Sequence, residues 1–132
     1  MKNQLLKKNL HLAQIIKYSE ISKNDKVLHL GGLTGYLSTL ISNLCNKLLV
    51  VEENKEIFKL LEQNIKNIKA TNINLYHDNL LKGLPNNAPF DLIIIDGPLY
   101  EIDYNLKQQL NSDGGKLIYI KKIYDNLGKA YK

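Results

Sequence analysis

Four places along the 132-residue sequence combine residue types and positions that could do chemistry. The first, Gly31-Gly32-Leu33-Thr34-Gly35, follows the short apolar run Val27-Leu28-His29-Leu30 and precedes a segment of helical spacing. Glycines in such a turn permit positive φ and let a ligand approach the backbone, while the next helix offers unpaired N–H donors; a tight strand-to-helix turn uses the same residues. The second is Glu52, which ends the next apolar run, seventeen residues after Gly35. A carboxylate there can accept hydrogen bonds from both hydroxyls of a ribose, or it can cap the helix that follows. The third is His77-Asp78-Asn79, where Asp78 can accept from the exocyclic amine of a base or fold back to cap its own loop. The fourth is Asp96 in Ile95-Asp96-Gly97-Pro98, at the exit of the most apolar run of the chain. A carboxylate beside a glycine can face the reacting part of a ligand there, or make no more than an Asp-Gly turn.

These residues meet only if each stands at the carboxyl end of a strand. Leu5, Leu12, Ile15, Ile16 and Ser19 recur near helical spacing, which predicts a helix over 5–21 that stops at Ser22-Lys23-Asn24-Asp25. Val27 to Leu30 predicts a buried strand, and from Thr34 or Gly35 a second helix buries Leu37, Leu40, Ile41 and Leu44. Leu48 to Glu52 predicts a strand, residues 54–68 a helix with Ile57, Leu60, Leu61, Asn64 and Ile65 on its inner face, and Ile73 to Tyr76 a further strand. Phe90 to Ile95 reads as the central strand; a short helix around 101–111 and the turn Asp113-Gly114-Gly115 lead to a last strand, Lys116 to Ile120. Strands alternating with helices imply right-handed crossovers, so the expected fold is α/β: a Rossmann-like, doubly wound, mainly parallel sheet of about five strands with helices on both faces. In such a sheet the ligand crevice lies beyond the carboxyl ends of the strands, where the winding reverses.

Composition narrows the field. With 44% hydrophobic and 23% charged residues and three prolines, the sequence is that of an ordinary globular chain, and its length predicts one domain over 1–132. Within it, 1–26 forms an N-terminal helix and turn, 27–120 the core, and 121–132 a shortened C-terminal strand region. No run approaches the roughly 18 apolar residues of a membrane span, and the first residues lack the features of a signal peptide. One cysteine, Cys45, permits no internal disulfide, so the expected location is the cytoplasm. The formal charge of +5 comes from the two ends of the chain, and every basic side chain other than the three histidines is lysine. Without arginine there is no planar fork for bidentate reading of guanine, so no specific nucleic-acid partner is expected. His11, His29 and His77 are dispersed and do not make a metal-ligand pattern.

From Val27 to Tyr119 the chain resembles the class I S-adenosylmethionine-dependent methyltransferases, and within them the protein-L-isoaspartate O-methyltransferase family. The family's first motif, V-L-E-I-G-T-G-S-G-Y, is similar to Val27-Leu28-His29-Leu30-Gly31-Gly32-Leu33-Thr34-Gly35-Tyr36. Its second strand ends in an acid as Val51-Glu52 does, and its G-L-P-x-x-A-P-F-D segment is matched by Gly83 to Asp91. Leu110 to Leu117 is similar to its closing L-K-P-G-G-R-L. A dinucleotide oxidoreductase is disfavoured, since G-x-G-x-x-G is absent.

The resemblance implies S-adenosylmethionine as cofactor and a damaged protein or peptide with isoaspartyl residues as methyl acceptor. It implies that Gly31, Gly32, Thr34 and Gly35 bind the cofactor, with Gly31 and Gly35 along its methionine part. Glu52 would hold the ribose and Asp78 with Asn79 border the adenine. Asp96 and Gly97 would lie near the methyl group, with Asp96 the candidate catalytic residue. Among the residues that depart from the pattern, His29 replaces an acid, and Leu33 replaces a glycine, which at positive φ costs roughly 1 kcal/mol or more. The family's N-terminal T-I-S-Q-P-like segment has no counterpart, and Gly128 to Lys132 reads as the start of a strand cut short, so a core truncated at both ends is expected. An edge left bare in this way could pair with a second copy. The alternative function is a non-catalytic module of the same fold that binds the cofactor weakly or acts as a scaffold.

Overall fold

The computed structural model describes residues 13–33, 35–96 and 104–120. A first helix, α1, covers the described residues 13–19, packs Ile15 into the core and stops at Glu20, where φ is +49°. The helix expected over 5–21 therefore ends sooner, and its first part lies outside the described residues. There follow β1 (Lys26–Leu30), α2 (Tyr36–Ser42), β2 (Lys47–Glu52), α3 (Lys55–Ile68), β3 (Ile73–His77), a 3-10 turn at Pro85–Asn87, β4 (Leu92–Ile95), α4 (Tyr104–Gln108) and β5 (Lys116–Tyr119).

The five strands form one parallel sheet in the order β3-β2-β1-β4-β5. Winding proceeds outward from β1 through β2 to β3, then crosses back over β1 to β4 and β5, so the switch point lies between β1 and β4. The middle strand is thus β1, not the Phe90–Ile95 run expected at the centre; β4 is interior and buried along its whole length, but off-centre. Phe90 itself precedes the strand and forms an isolated bridge to Leu110.

Alternation along the strands divides the core. Val27, Leu48, Val50, Leu92 and Ile94 meet Ile15 of α1, Leu37 and Ile41 of α2, and Leu61 and Ile65 of α3. Leu28, Leu30, Leu49, Val51, Ile93 and Ile95 meet Phe90 and Leu106 of α4 on the other face. Both faces are covered, which is why the inner strands read as unbroken apolar runs. Each of these side chains contributes about 1.5–3 kcal/mol on burial.

Helix α3 begins where the Asn54 side chain accepts the Ile57 N–H at 3.0 Å, a side-chain cap on the first turn. It ends at Lys69, in the left-handed region with φ +55°. Its buried face is centred on Leu61 and Ile65, with Phe58 packed beside them; Leu60 and Asn64, expected on that face, are exposed. In α2, likewise, Leu40 is only partly buried, while Ser38 and Ser42 join Leu37 and Ile41 inside, and Leu44 beyond the helix is also only partly buried. No helix among the described residues is long and apolar enough to cross a membrane.

The Gly83–Asp91 segment serves the far end of the sheet. Asp91 accepts the Lys26 N–H at 2.9 Å on one carboxylate oxygen and the Asn111 side-chain amide at 3.0 Å on the other. The Lys26 ammonium lies over the Phe90 ring, 5.2 Å from its centroid, and donates to the Asn87 carbonyl. Gln109 ties the segment to α4 by accepting the Leu84 N–H at 2.9 Å. This motif staples β1, β4 and the loop before β5 together at the edge opposite the crevice.

Candidate functional site at the switch point

The register brings two carboxylates level with each other. Leu30 of β1 pairs with Val51 of β2 and with Ile95 of β4, so Glu52 and Asp96 each stand one residue beyond Leu30's partners, straddling Gly31. Alternation points both toward the face that carries α2 and α3, and two strand spacings put their Cα atoms about 10 Å apart. His29 occupies the rung below on the same face, paired with Val50 and Ile94.

Gly31 extends the ladder on both sides: its N–H donates to the Val51 carbonyl at 2.8 Å, while the Asp96 N–H donates to the Leu30 carbonyl at 2.8 Å. It holds φ +91°, and a Cβ there would stand 1.7 Å from the Asp96 carbonyl oxygen. Only glycine permits this turn to pass so close to the exit of β4. A side chain at Gly32 would strike Val50, and one at Gly35 would crowd Leu61 and Ile65. These glycines seat the turn on β2 and α3, the close packing that sets the position of the α2 N-terminus.

Leu33 keeps the curl without being glycine. It holds φ +51°, its N–H donates to Glu52 Oε1 at 2.9 Å, and its side chain is 46% exposed. Glu52, 5% exposed, also accepts the Asn54 N–H on Oε2 at 3.0 Å, so its carboxylate bridges the glycine turn and the entry to α3. Each oxygen keeps a further acceptor direction. Asp96 is partly buried; burial first, and the nearby Glu52 charge second, push its carboxyl up to about 6.

Asp78 and Asn79 stand just past β3, whose last rung pairs Glu52 with His77. Asp78 Oδ1 accepts the Asn79 N–H at 2.7 Å, Oδ2 lies 3.4 Å from the Lys82 ammonium, and Asn79 accepts the Leu81 N–H at 2.8 Å. Both cap their own loop at an exposed position, and the Asn79 N–H with Lys82 holds the Asp78 carboxyl below its usual value. The His77 ring stacks on Phe58 with centroids 5.4 Å apart. Thr34 and Gly97, also expected in the site, lie outside the described residues.

Two contacts beside the glycine turn had no clear signal in the sequence. Ser38, nine residues after His29, places its hydroxyl 2.9 Å from His29 Nδ1, and both side chains are buried. His29 Nε2 has no hydrogen-bond partner among the described residues, and burial pushes the imidazole down to about 4. A neutral ring thus fills the place where the resemblance expects a negative charge. The Asn54 N–H, the second anchor of Glu52, could be read only once the β2–α3 turn was in place.

A five-stranded parallel sheet in this order, with a glycine turn at the switch point and acids closing its flanking strands, defines the Rossmann-like core of the class I methyltransferases. A solved protein-L-isoaspartate O-methyltransferase superposes with a TM-score of 0.74 at 23% identity, over 80% of this chain and 34% of that one. The description protein-L-isoaspartate(D-aspartate) O-methyltransferase fits residues 2–126, and the chain belongs to that family. Among curated relatives, a protein-L-isoaspartate O-methyltransferase of Paramagnetospirillum magneticum is 32% identical over 72% of this chain and 44% of its own length. One of Koribacter versatilis is 28% identical over 81% and 48% respectively. The chain spans less than half the length of these relatives.

Proposed function

We propose that this chain binds S-adenosylmethionine at the switch point and directs its methyl group to the carboxylate of an isoaspartyl residue in a damaged protein or peptide, a protein-repair reaction. The observation that carries this reading is Glu52: a buried carboxylate, held by two backbone N–H groups against the glycine turn, that retains acceptor capacity toward a ribose diol. The residues present fit the cofactor. Leu33 stays in the left-handed region, so the turn keeps the bend expected of a glycine, and Asp96 stands level with Glu52 across Gly31.

Bound there, the cofactor supplies an electrophilic methyl group on a positively charged sulfur. Glu52 fixes the sugar, Gly31 and Gly35 shape the turn along the methionine part, and Asp78 with Asn79 border the base. Asp96 orients the amine or the substrate. A carboxylate acceptor is ionised at neutral pH, so no side chain has to remove a proton, and the contribution of the chain is alignment and exclusion of water. A buried, unpaired thiol at Cys45 suits a reducing cytoplasm.

The test is transfer of labelled methyl from S-adenosylmethionine to an isoaspartyl peptide, with its aspartyl twin as control. Label on the isoaspartyl peptide alone is expected. Binding of S-adenosylhomocysteine without transfer to either peptide would replace this reading with the non-catalytic module.

A further inference from the structure

Two Asp-Gly pairs occur in the sequence, Asp96-Gly97 and Asp113-Gly114, and no Asn-Gly pair. In such a pair the amide nitrogen that follows the aspartate can attack the side-chain carboxyl, because glycine has no Cβ to shield it. Sequence alone makes the two pairs equivalent; the structure separates them.

Asp96 is held through its main chain. Its N–H donates to the Leu30 carbonyl at 2.8 Å, and its own carbonyl packs on Gly31, where a Cβ would stand 1.7 Å from the oxygen. Ring closure rotates the peptide plane after the aspartate, so at this position the junction of β1 and β4 has to open first. Asp113 is exposed, as are Ser112 and Gly114, and a Cβ built on Gly114 (φ +91°) would meet nothing within 4 Å. The turn is anchored around this pair rather than through its peptide bond: the Asp113 N–H donates to Asn111 Oδ1 at 3.0 Å, and the Gly115 N–H to the Asn111 carbonyl at 2.9 Å. Among the described residues, neither the Gly114 N–H nor the Asp113 carboxylate has a hydrogen-bond partner.

We propose that Asp113 is a modification site, at which the turn before β5 isomerises to an isoaspartyl linkage while Asp96-Gly97 is protected by the fold. The Gly114 nitrogen attacks Cγ of the protonated Asp113 carboxyl; the amide proton leaves with the carboxyl hydroxyl as water, and a succinimide ring closes. Water then opens the ring at the main-chain carbonyl of Asp113. The peptide bond to Gly114 now runs through Cγ, and the former main-chain carbonyl is a free carboxylate. One water is lost and one gained, so no oxidant or further reactant is needed. The motif that this turn resembles, L-K-P-G-G-R-L, carries proline before its two glycines, so the site is this chain's own. The product has one more main-chain atom between Asn111 and Gly115, which draws the Gly115 N–H off the Asn111 carbonyl and loosens the entry to β5 at Lys116.

The experiment ages the full chain near neutral pH, folded and in denaturing urea, with samples taken over weeks. Tryptic peptides spanning each pair are separated, and electron-transfer dissociation, which gives isoaspartate its own backbone fragments, assigns the position. In the folded chain isoaspartate is expected at 113 at least about tenfold faster than at 96, and in urea the two rates should converge. Asp113→Glu, whose longer side chain closes a six-membered ring far more slowly, should remove the signal at 113 and leave that at 96. Equal rates in the folded chain, or a lead at 96, would overturn the proposal, as would isoaspartate at 113 that forms in urea and not in the folded chain. A lead of 113 that persists unchanged in urea would overturn its structural cause. Should the variant fail to fold, the wild-type comparison decides alone. No methyl donor takes part, so the result stands apart from the function proposed above.

Discussion

Acidification probes the burial of His29, and its effect can be worked from the structure. The ring is enclosed between β1 and α2, and burial lowers its midpoint from 6.5 to about 4. The folded chain therefore keeps a neutral imidazole where the unfolded chain takes up a proton. Stability from this group is complete above about pH 6.5 and declines as the pH falls toward 4. A displacement of about 2.5 units at 1.36 kcal/mol per unit amounts to about 3 kcal/mol, a large share of the roughly 5–15 kcal/mol that holds a domain folded. Asp96 acts in the opposite sense: its folded midpoint is raised from 3.8 to about 6, so the folded chain is the first to take up a proton and is relieved between those values. Partial exposure discounts that relief to about 1–2 kcal/mol. Wild type should thus lose only about 1–2 kcal/mol between neutral pH and pH 4, while Asp96→Asn should show the full loss of about 3 kcal/mol. Adding His29→Asn to that variant should flatten the curve. Urea unfolding followed by far-ultraviolet circular dichroism at stepped pH measures all three slopes. Equal slopes in Asp96→Asn and the double variant would refute the reasoning, as would an imidazole seen by NMR to titrate near its ordinary value.

Two substitutions test the turn. Gly31→Ala puts a methyl group into the Asp96 carbonyl at φ +91°, backbone against side chain with no flexible atom to yield, and should cost about 3 kcal/mol or more, read as a collapse of the thermal transition; an alanine variant within about 1 kcal/mol of wild type would show that the turn is positioned otherwise. Leu33→Gly exchanges about 1 kcal/mol of left-handed strain against a similar entropic cost in the unfolded chain, so its stability should stay within about 0.5 kcal/mol of wild type, whereas the β-branched Leu33→Val should lose more than about 1 kcal/mol; equal denaturation midpoints for both variants would contradict a positive φ at this position.

The candidate site was legible in part, as a set of positions. Gly31, Glu52 and Asp96 stood out because each follows an apolar run, and a parallel sheet brings the carboxyl ends of its strands to one side. That Glu52 braces the glycine turn against the entry to α3 was not legible, since its two donors belong to different turns, the Leu33 N–H and the Asn54 N–H. For Asp78 and Asn79 the sequence allowed a ligand role or a loop cap, and their local hydrogen bonds are those of a cap. The inner face of α3 was misread at Leu60 because a stripe of Ile57, Leu60, Leu61 and Ile65 is compatible with two rotations of the helix. Contact with Val50 and the glycine turn selects the one that buries Leu61.

What the sequence by itself determined is the alternation of elements and the class of fold. Apolar runs bounded by glycine and acids define strands locally, and right-handed crossovers leave few ways to join them. What only the tertiary structure decided is which strand lies in the middle, which charges face one another and which polar groups are left alone. Val27–Leu30 and Phe90–Ile95 are both apolar enough to be central; the order of pairing puts β1 there, with Glu52 and Asp96 on either side. The neutrality of His29 and the shifted acidity of Asp96 follow from burial and from a neighbour two strands away. Such effects depend on distance through space, which the spacing of residues along a chain does not encode.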